Sequence, residues 1–268
     1  MSGFSRTAAC NNHLVALISP TDQEHLRRSF AEMTRPVRLL FSIAVLLSIA
    51  TIAASGMPGP QGPQGTLTAQ GTRTEEVPRI VALGDSLTSG RGIGRDHSYP
   101  AVLQERLDEA GLRFEVVNAG RSGATSADGV RRLSGALEGN VRVLVVALGA
   151  NDGLRGTPVE RLKSNLSHIV SQARARGISV LVCGMEALPI YGLDYSMQFH
   201  RAYRELAEQF EVPLVPFMLA GVIGREEMMQ RDRIHPTAAG ARMIADNIWP
   251  YLKPLAEAIA PARIAAPE

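Results

Sequence analysis

From Pro78 onward the chain alternates short apolar runs with segments whose apolar residues recur every three or four positions. Arg79–Leu83, Phe114–Val117, Val141–Leu148, Ile178–Cys183 and Val212–Val215 read as strands. Several carry almost no polar residue, the pattern of strands covered on both faces. Between them, Leu162, Leu166, Ile169, Val170 and Ala173 fall on one helical face, which Gly177 ends. Thr157-Pro-Val-Glu160 at its start predicts a capping box with proline in the first helical position. Phe199, Tyr203, Leu206 and Phe210 mark a second helix, and a further one begins near Thr237. Strands separated by helices imply a parallel sheet with helices on both sides, a single α/β sandwich of about 180 residues.

The N-terminal part patterns differently. Residues 1–32 are polar, and 33–55 hold the uncharged run Leu39–Ala54 behind Arg35 and Arg38, with small residues Ala53, Ala54 and Ser55 at its exit. That arrangement predicts a secretory signal starting at Met33, hence a periplasmic or secreted enzyme. A retained membrane anchor is the alternative, although this run of 16 uncharged residues falls short of the usual span of about 20. Residues 56–77, rich in Gly, Pro, Gln and Thr, predict a flexible linker. Residues 78–260 form the expected domain, and 261–268 a tail. Only Cys183 lies beyond the signal, so no internal disulfide is expected, and its apolar run suggests a buried thiol.

A formal net charge of +2 offers no basic surplus for nucleic acid. Neither a cofactor nor an obligate protein partner is indicated. A metal centre is not expected, because there is no HExxH, no paired Cys motif and no third ligand near Asp232 and His235.

Ligands of open parallel sheets bind beyond the carboxyl ends of the strands. The first three strands lead into Gly84-Asp-Ser-Leu87, Asn118-Ala-Gly-Arg-Ser-Gly123 and Gly149-Ala-Asn-Asp152. Ser86 alone is ordinary turn chemistry, and the crowded glycines after it fit neither phosphate-binding fingerprint. A serine hydroxyl needs a base, and the base needs an orienting partner. His168 and His200 lie off the apolar faces of their helices, and His97 is a rival close to Ser86. His235 stands three residues after Asp232 and just before Pro236, spacing at which a carboxylate can reach the ring. Donors for a developing oxyanion could be the Gly123 N–H and the Asn151 carboxamide; the bland alternatives are a turn glycine and a helix-capping asparagine.

These four blocks, in this order, resemble those of the SGNH (GDSL) hydrolases, over roughly Arg79 to Leu252. The resemblance implies a flavodoxin-like three-layer α/β/α sandwich with a mostly five-stranded parallel sheet. It makes Ser86 the nucleophile, His235 the base and Asp232 its orienter, with the N–H groups of Ser86 and Gly123 and the Asn151 side chain in the oxyanion hole. His97 then becomes a bystander. Asn151–Gly156, Leu188–Gly192 and Val212–Phe217 resemble the bacterial thioesterase I, lysophospholipase and arylesterase branch, in which Leu154, Leu188, Pro189 and Tyr191 would shape the acyl pocket. The implied reaction is hydrolysis of acyl, aryl, lysophospholipid or thio esters through an acyl-enzyme. A carbohydrate acetylesterase and an inactive binding module with this fold are the alternatives. Arg233, where relatives often carry a small residue, leaves the preference for substrate charge open.

Overall fold

The computed structural model describes residues 76–260. The expected extension, signal and tail, and most of the expected linker, lie outside these residues. Five strands form one parallel sheet: β1 (Arg79–Gly84), β2 (Glu115–Gly120), β3 (Val141–Ala147), β4 (Ser179–Cys183) and β5 (Leu214–Val215). Their order across the sheet is β2-β1-β3-β4-β5, the flavodoxin-like order. In β1, Ile80 to Gly84 are all buried, as are Val143 to Ala147 in β3. The near-continuous apolar character of these runs thus reflects cover on both faces.

Eight α-helices were found among the described residues: α1 (Ser86–Ser89), α2 (Tyr99–Glu109), α3 (Ser126–Arg131), α4 (Leu133–Ala136), α5 (Ala150–Leu154), α6 (Val159–Ala175), α7 (Leu193–Phe210) and α8 (Ala238–Ile259). Helices α2 and α8 pack together, while α6 is flanked by α3 and α7. The expected face of α6 is the buried one: Leu162, Leu166, Ile169, Val170 and Ala173 are all in the core. On α7, Phe199, Tyr203 and Leu206 do the same, and consecutive rings from Tyr191 through Tyr195 and Phe199 to Tyr203 contact one another at centroid distances of 5.6–5.9 Å. Such tilted ring contacts contribute beyond their buried area.

Three expectations change. β2 does not stop at Val117, because its pairing with β1 continues through Leu83–Ala119 and Gly84–Gly120. Asn118 to Gly120 are therefore strand, and the loop begins at Arg121. The capping box at Thr157 does not form: Pro158 is the N-cap residue of α6, and no side chain caps that end. Thr157 is held otherwise, its N–H donating to the Asp152 carbonyl and its carbonyl accepting the Tyr195 hydroxyl at 2.9 Å. Finally, β5 is only two residues long, shorter than the expected Val212–Val215.

Candidate active site

All the strand-end loops converge on one edge of the sheet. β1 ends in Asp85, which caps α1: its Oδ1 accepts the Leu87 N–H at 2.9 Å. Ser86 is thereby the first residue of that short helix, a position whose N–H has no intrahelical acceptor. Its side chain is turned toward the segment before α8.

There, Asp232 organises a tight turn. Its Oδ1 accepts the N–H groups of both Ile234 and His235 at 3.0 Å, while Oδ2 lies 2.6 Å from His235 Nδ1. Burial alone would raise its pKa, but the N–H donors and the imidazole outweigh it and lower it to about 2. Arg233 bridges the turn in left-handed conformation at φ 55°. With Nδ1 engaged by Asp232, Nε2 of the nearly buried His235 faces Ser86 Oγ at 3.0 Å. Thr237 then caps α8 through the Gly240 N–H. The carboxylate, imidazole and hydroxyl are thus hydrogen-bonded in sequence although 145 residues of chain separate Ser86 from Asp232. A hydroxyl so placed can pass its proton to the ring as it attacks a carbonyl carbon.

The second loop presents Gly123 at φ 76°, left-handed backbone that favours glycine. Among the described residues its N–H makes no hydrogen bond, whereas its carbonyl accepts from Arg155 at 3.0 Å. The third loop turns through Gly149 at φ 122°, where a β-carbon would lie 1.8 Å from the Tyr203 hydroxyl. Asn151 follows in the first turn of α5 but does not cap it; the N-cap is Gly149, with no side-chain cap bond. The Asn151 amide reaches across the site instead, donating to the Ala124 carbonyl at 3.0 Å and to Asp85 Oδ2 at 3.2 Å. The capping alternative for Asn151 is thus excluded.

The other histidines among the described residues stay apart. His97 lies exposed in the Arg95–His97 turn, His168 is exposed on α6, and His200 pairs with Glu186 at 3.2 Å. Cys183 is fully buried at the end of β4, and burial pushes its thiol far above the ordinary range. Of the residues expected to bind the acyl group, Leu154 and Tyr191 meet: the Tyr191 hydroxyl donates to the Leu154 carbonyl at 3.0 Å, and both side chains are about two-fifths exposed. Leu188 is half-buried and Pro189 exposed, at the start of the turn that carries Tyr191.

The chain matches the GDSL-like Lipase/Acylhydrolase family over residues 82–243. It belongs to that family. Its similarity to Esterase TesA of Pseudomonas aeruginosa is 41% identity over 69% of this chain and 92% of the relative. To the Thioesterase 1/protease 1/lysophospholipase L1 of Escherichia coli K12 it is 34% identical, over 68% of this chain and 87% of that one. A crystal structure of TesA superposes with a TM-score of 0.64 and 42% identity, covering 66% of this chain and 99% of the other. As a GDSL-family protein the chain is an ester hydrolase, and the resemblance read from its four blocks is borne out.

Three polar residues of this edge had no role in the sequence reading. Asp85 was part of the first block but unassigned. Arg132, at the junction of α3 and α4, donates to the carbonyls of Gly84 and Ala119 and so ties together the ends of β1 and β2. Asp152 accepts the Ser126 N–H and hydroxyl at 2.8 and 2.6 Å, and the Asn165 amide supports that hydroxyl from α6. An acidic residue placed directly after the uncharged run Ile80–Gly84 was the available signal for Asp85.

Proposed function

We propose that this chain hydrolyses acyl esters, including lysophospholipids, aryl esters and acyl thioesters, through an acyl-enzyme on Ser86. The observation that carries the reading is the relay of Ser86 Oγ to His235 Nε2 at 3.0 Å and His235 Nδ1 to Asp232 at 2.6 Å. Ser86 Oγ attacks the ester carbonyl while His235 takes its proton, and Asp232 stabilises the imidazolium and holds its orientation. The N–H groups of Ser86 and Gly123 and the Asn151 amide receive the oxyanion. The tetrahedral intermediate collapses as His235 returns the proton to the leaving alcohol or thiol. Water, deprotonated by the same ring, then attacks the acyl-enzyme and frees the carboxylic acid.

Leu154, Leu188, Pro189 and Tyr191 bind the acyl chain in this reading. The meeting of Leu154 with Tyr191 supports that assignment, as does the partial exposure of their apolar side chains. The name of the Escherichia coli relative supports the substrate range. Export follows from the apolar run behind Arg35 and Arg38, with cleavage near Ser55. Purified Ser86→Ala should keep its fold and lose at least several hundred-fold of its p-nitrophenyl ester turnover. It should also lose labelling by a fluorophosphonate. Appreciable turnover by the clean variant would overturn the assignment of Ser86. For export, N-terminal sequencing of protein made in a bacterium should find the start near residue 56; full-length chain held in membranes would favour the anchor.

A further inference from the structure

Asn151 has a geometric problem that its backbone does not solve. A carboxamide in the first turn of a helix can be rotated end for end at little steric cost, and only one of its two ends can donate to an oxyanion. What selects the end is what surrounds it. In this structure the two acceptors near the nitrogen are the Ala124 carbonyl at 3.0 Å and Asp85 Oδ2 at 3.2 Å. Turning the amide over would set its oxygen against a carbonyl and a carboxylate, two acceptor–acceptor contacts in a half-buried place.

Asp85 is itself immobilised. It is fully buried, and its other oxygen is held by the Leu87 N–H at 2.9 Å, one residue beyond Ser86. One carboxylate therefore joins the nucleophile helix to the third loop, with the Ala124 carbonyl anchoring the amide to the second. We infer that Asp85 is a positioning residue: it fixes the Asn151 carboxamide with nitrogen inward, so that the proton now shared with Asp85 is the one presented to the oxyanion. The inference rests on Asn151 being an oxyanion donor, as proposed above.

The longer of the two amide bonds is the one to Asp85, the bond that can be shared with a newly formed negative oxygen without releasing Ala124. A buried carboxylate so close would also oppose a second negative charge. The imidazolium formed on His235 in the same step offsets this, and the Arg132 guanidinium also acts on Asp85. The remaining titratable groups that sense its charge are the buried hydroxyls of Tyr99 and Tyr203.

Asp85 has two jobs, capping α1 and holding Asn151, and serine separates them. Serine is about as good an N-cap as aspartate, but its shorter side chain should not reach the amide. Asp85→Ser should therefore be at least as stable as the wild type at neutral pH yet lose roughly tenfold or more in kcat, with KM for a p-nitrophenyl ester within about twofold. The deciding measurement is a cycle with Asn151→Ala. If Asp85 acts through Asn151, adding Asp85→Ser to Asn151→Ala should change kcat by less than about twofold. The shape-conserving Asp85→Asn serves in the same cycle should the serine variant fold poorly. An unchanged kcat in the single variant, or an equal loss in both backgrounds, would overturn the role of Asp85. An Asn151→Ala enzyme with wild-type kcat would instead remove Asn151 from the oxyanion site, a separate failure.

Discussion

Asp85 shows how a single side chain can set opposed demands of stability and chemistry. Its burial, only partly offset by the Leu87 and Asn151 donors, raises its pKa to about 6 from the ordinary 3.8. The folded protein thus holds this proton over a range in which the unfolded chain has released it, so folding is disfavoured as pH rises from about 4 to 6. Two units correspond to about 3 kcal/mol, absent below pH 4 and complete above 6. Asp232 has the opposite sign, being lowered to about 2; its contribution is present above about pH 4 and fades below. Urea unfolding of wild type and Asp85→Asn at several pH values should give stabilities that diverge between pH 4 and 6. The variant should gain relative to wild type as pH rises; a constant difference would show that Asp85 does not titrate in this range. Neither behaviour is legible in the sequence, because the same Gly-Asp-Ser in an exposed turn would hold an ordinary carboxylate.

At the scale of elements, the strands and the helices α6, α7 and α8 were legible, whereas α2 and the short helices were not. Periodicity identifies α6 and α7, whose apolar stripes span about three turns. It cannot identify α1 or α5, four and five residues long, which exist because the strand preceding each is held in the sheet. The Thr157 capping box failed for a related reason: contacts from Asp152 and Tyr195 claimed Thr157 before the helix began. The junction of β3 and α5 carries a sharp expectation. Gly149→Ala adds a methyl where the Tyr203 hydroxyl stands, at a φ of 122° that L residues rarely adopt. Thermal and urea unfolding should show a loss of roughly 3 kcal/mol or more, from overpacking plus backbone strain. Adding Tyr203→Phe, which removes the obstructing oxygen, should return part of it. Full recovery would mean the backbone is not strained; no loss at all would mean the loop adapts freely.

For the molecule as a whole, residues 76–260 contain a closed hydrophobic core and every residue of the relay. The family match lies within it, at residues 82–243, and the relatives match 68–69% of the chain over about nine-tenths of their own length. A protein comprising residues 76–260 should therefore fold and retain ester hydrolysis with kcat within about twofold of the longer chain. A failure of that protein to fold, or a large loss of rate, would assign a structural part to residues before Glu76 or after Ala260. What the sequence determined by itself was whatever is carried by short-range pattern: apolar runs that become covered strands, helical stripes, the order β-α-β that dictates parallel pairing, and the Asp232–His235 spacing, whose three residues close within one turn. Only the tertiary structure decided which distant groups meet. Ser86 meets His235, a pairing the sequence offered only through the family resemblance, and Asp85 meets Asn151, because the strands leading into the site end at one edge of the sheet. Such pairings arise from packing across long stretches of chain and leave no mark in the local pattern of either partner.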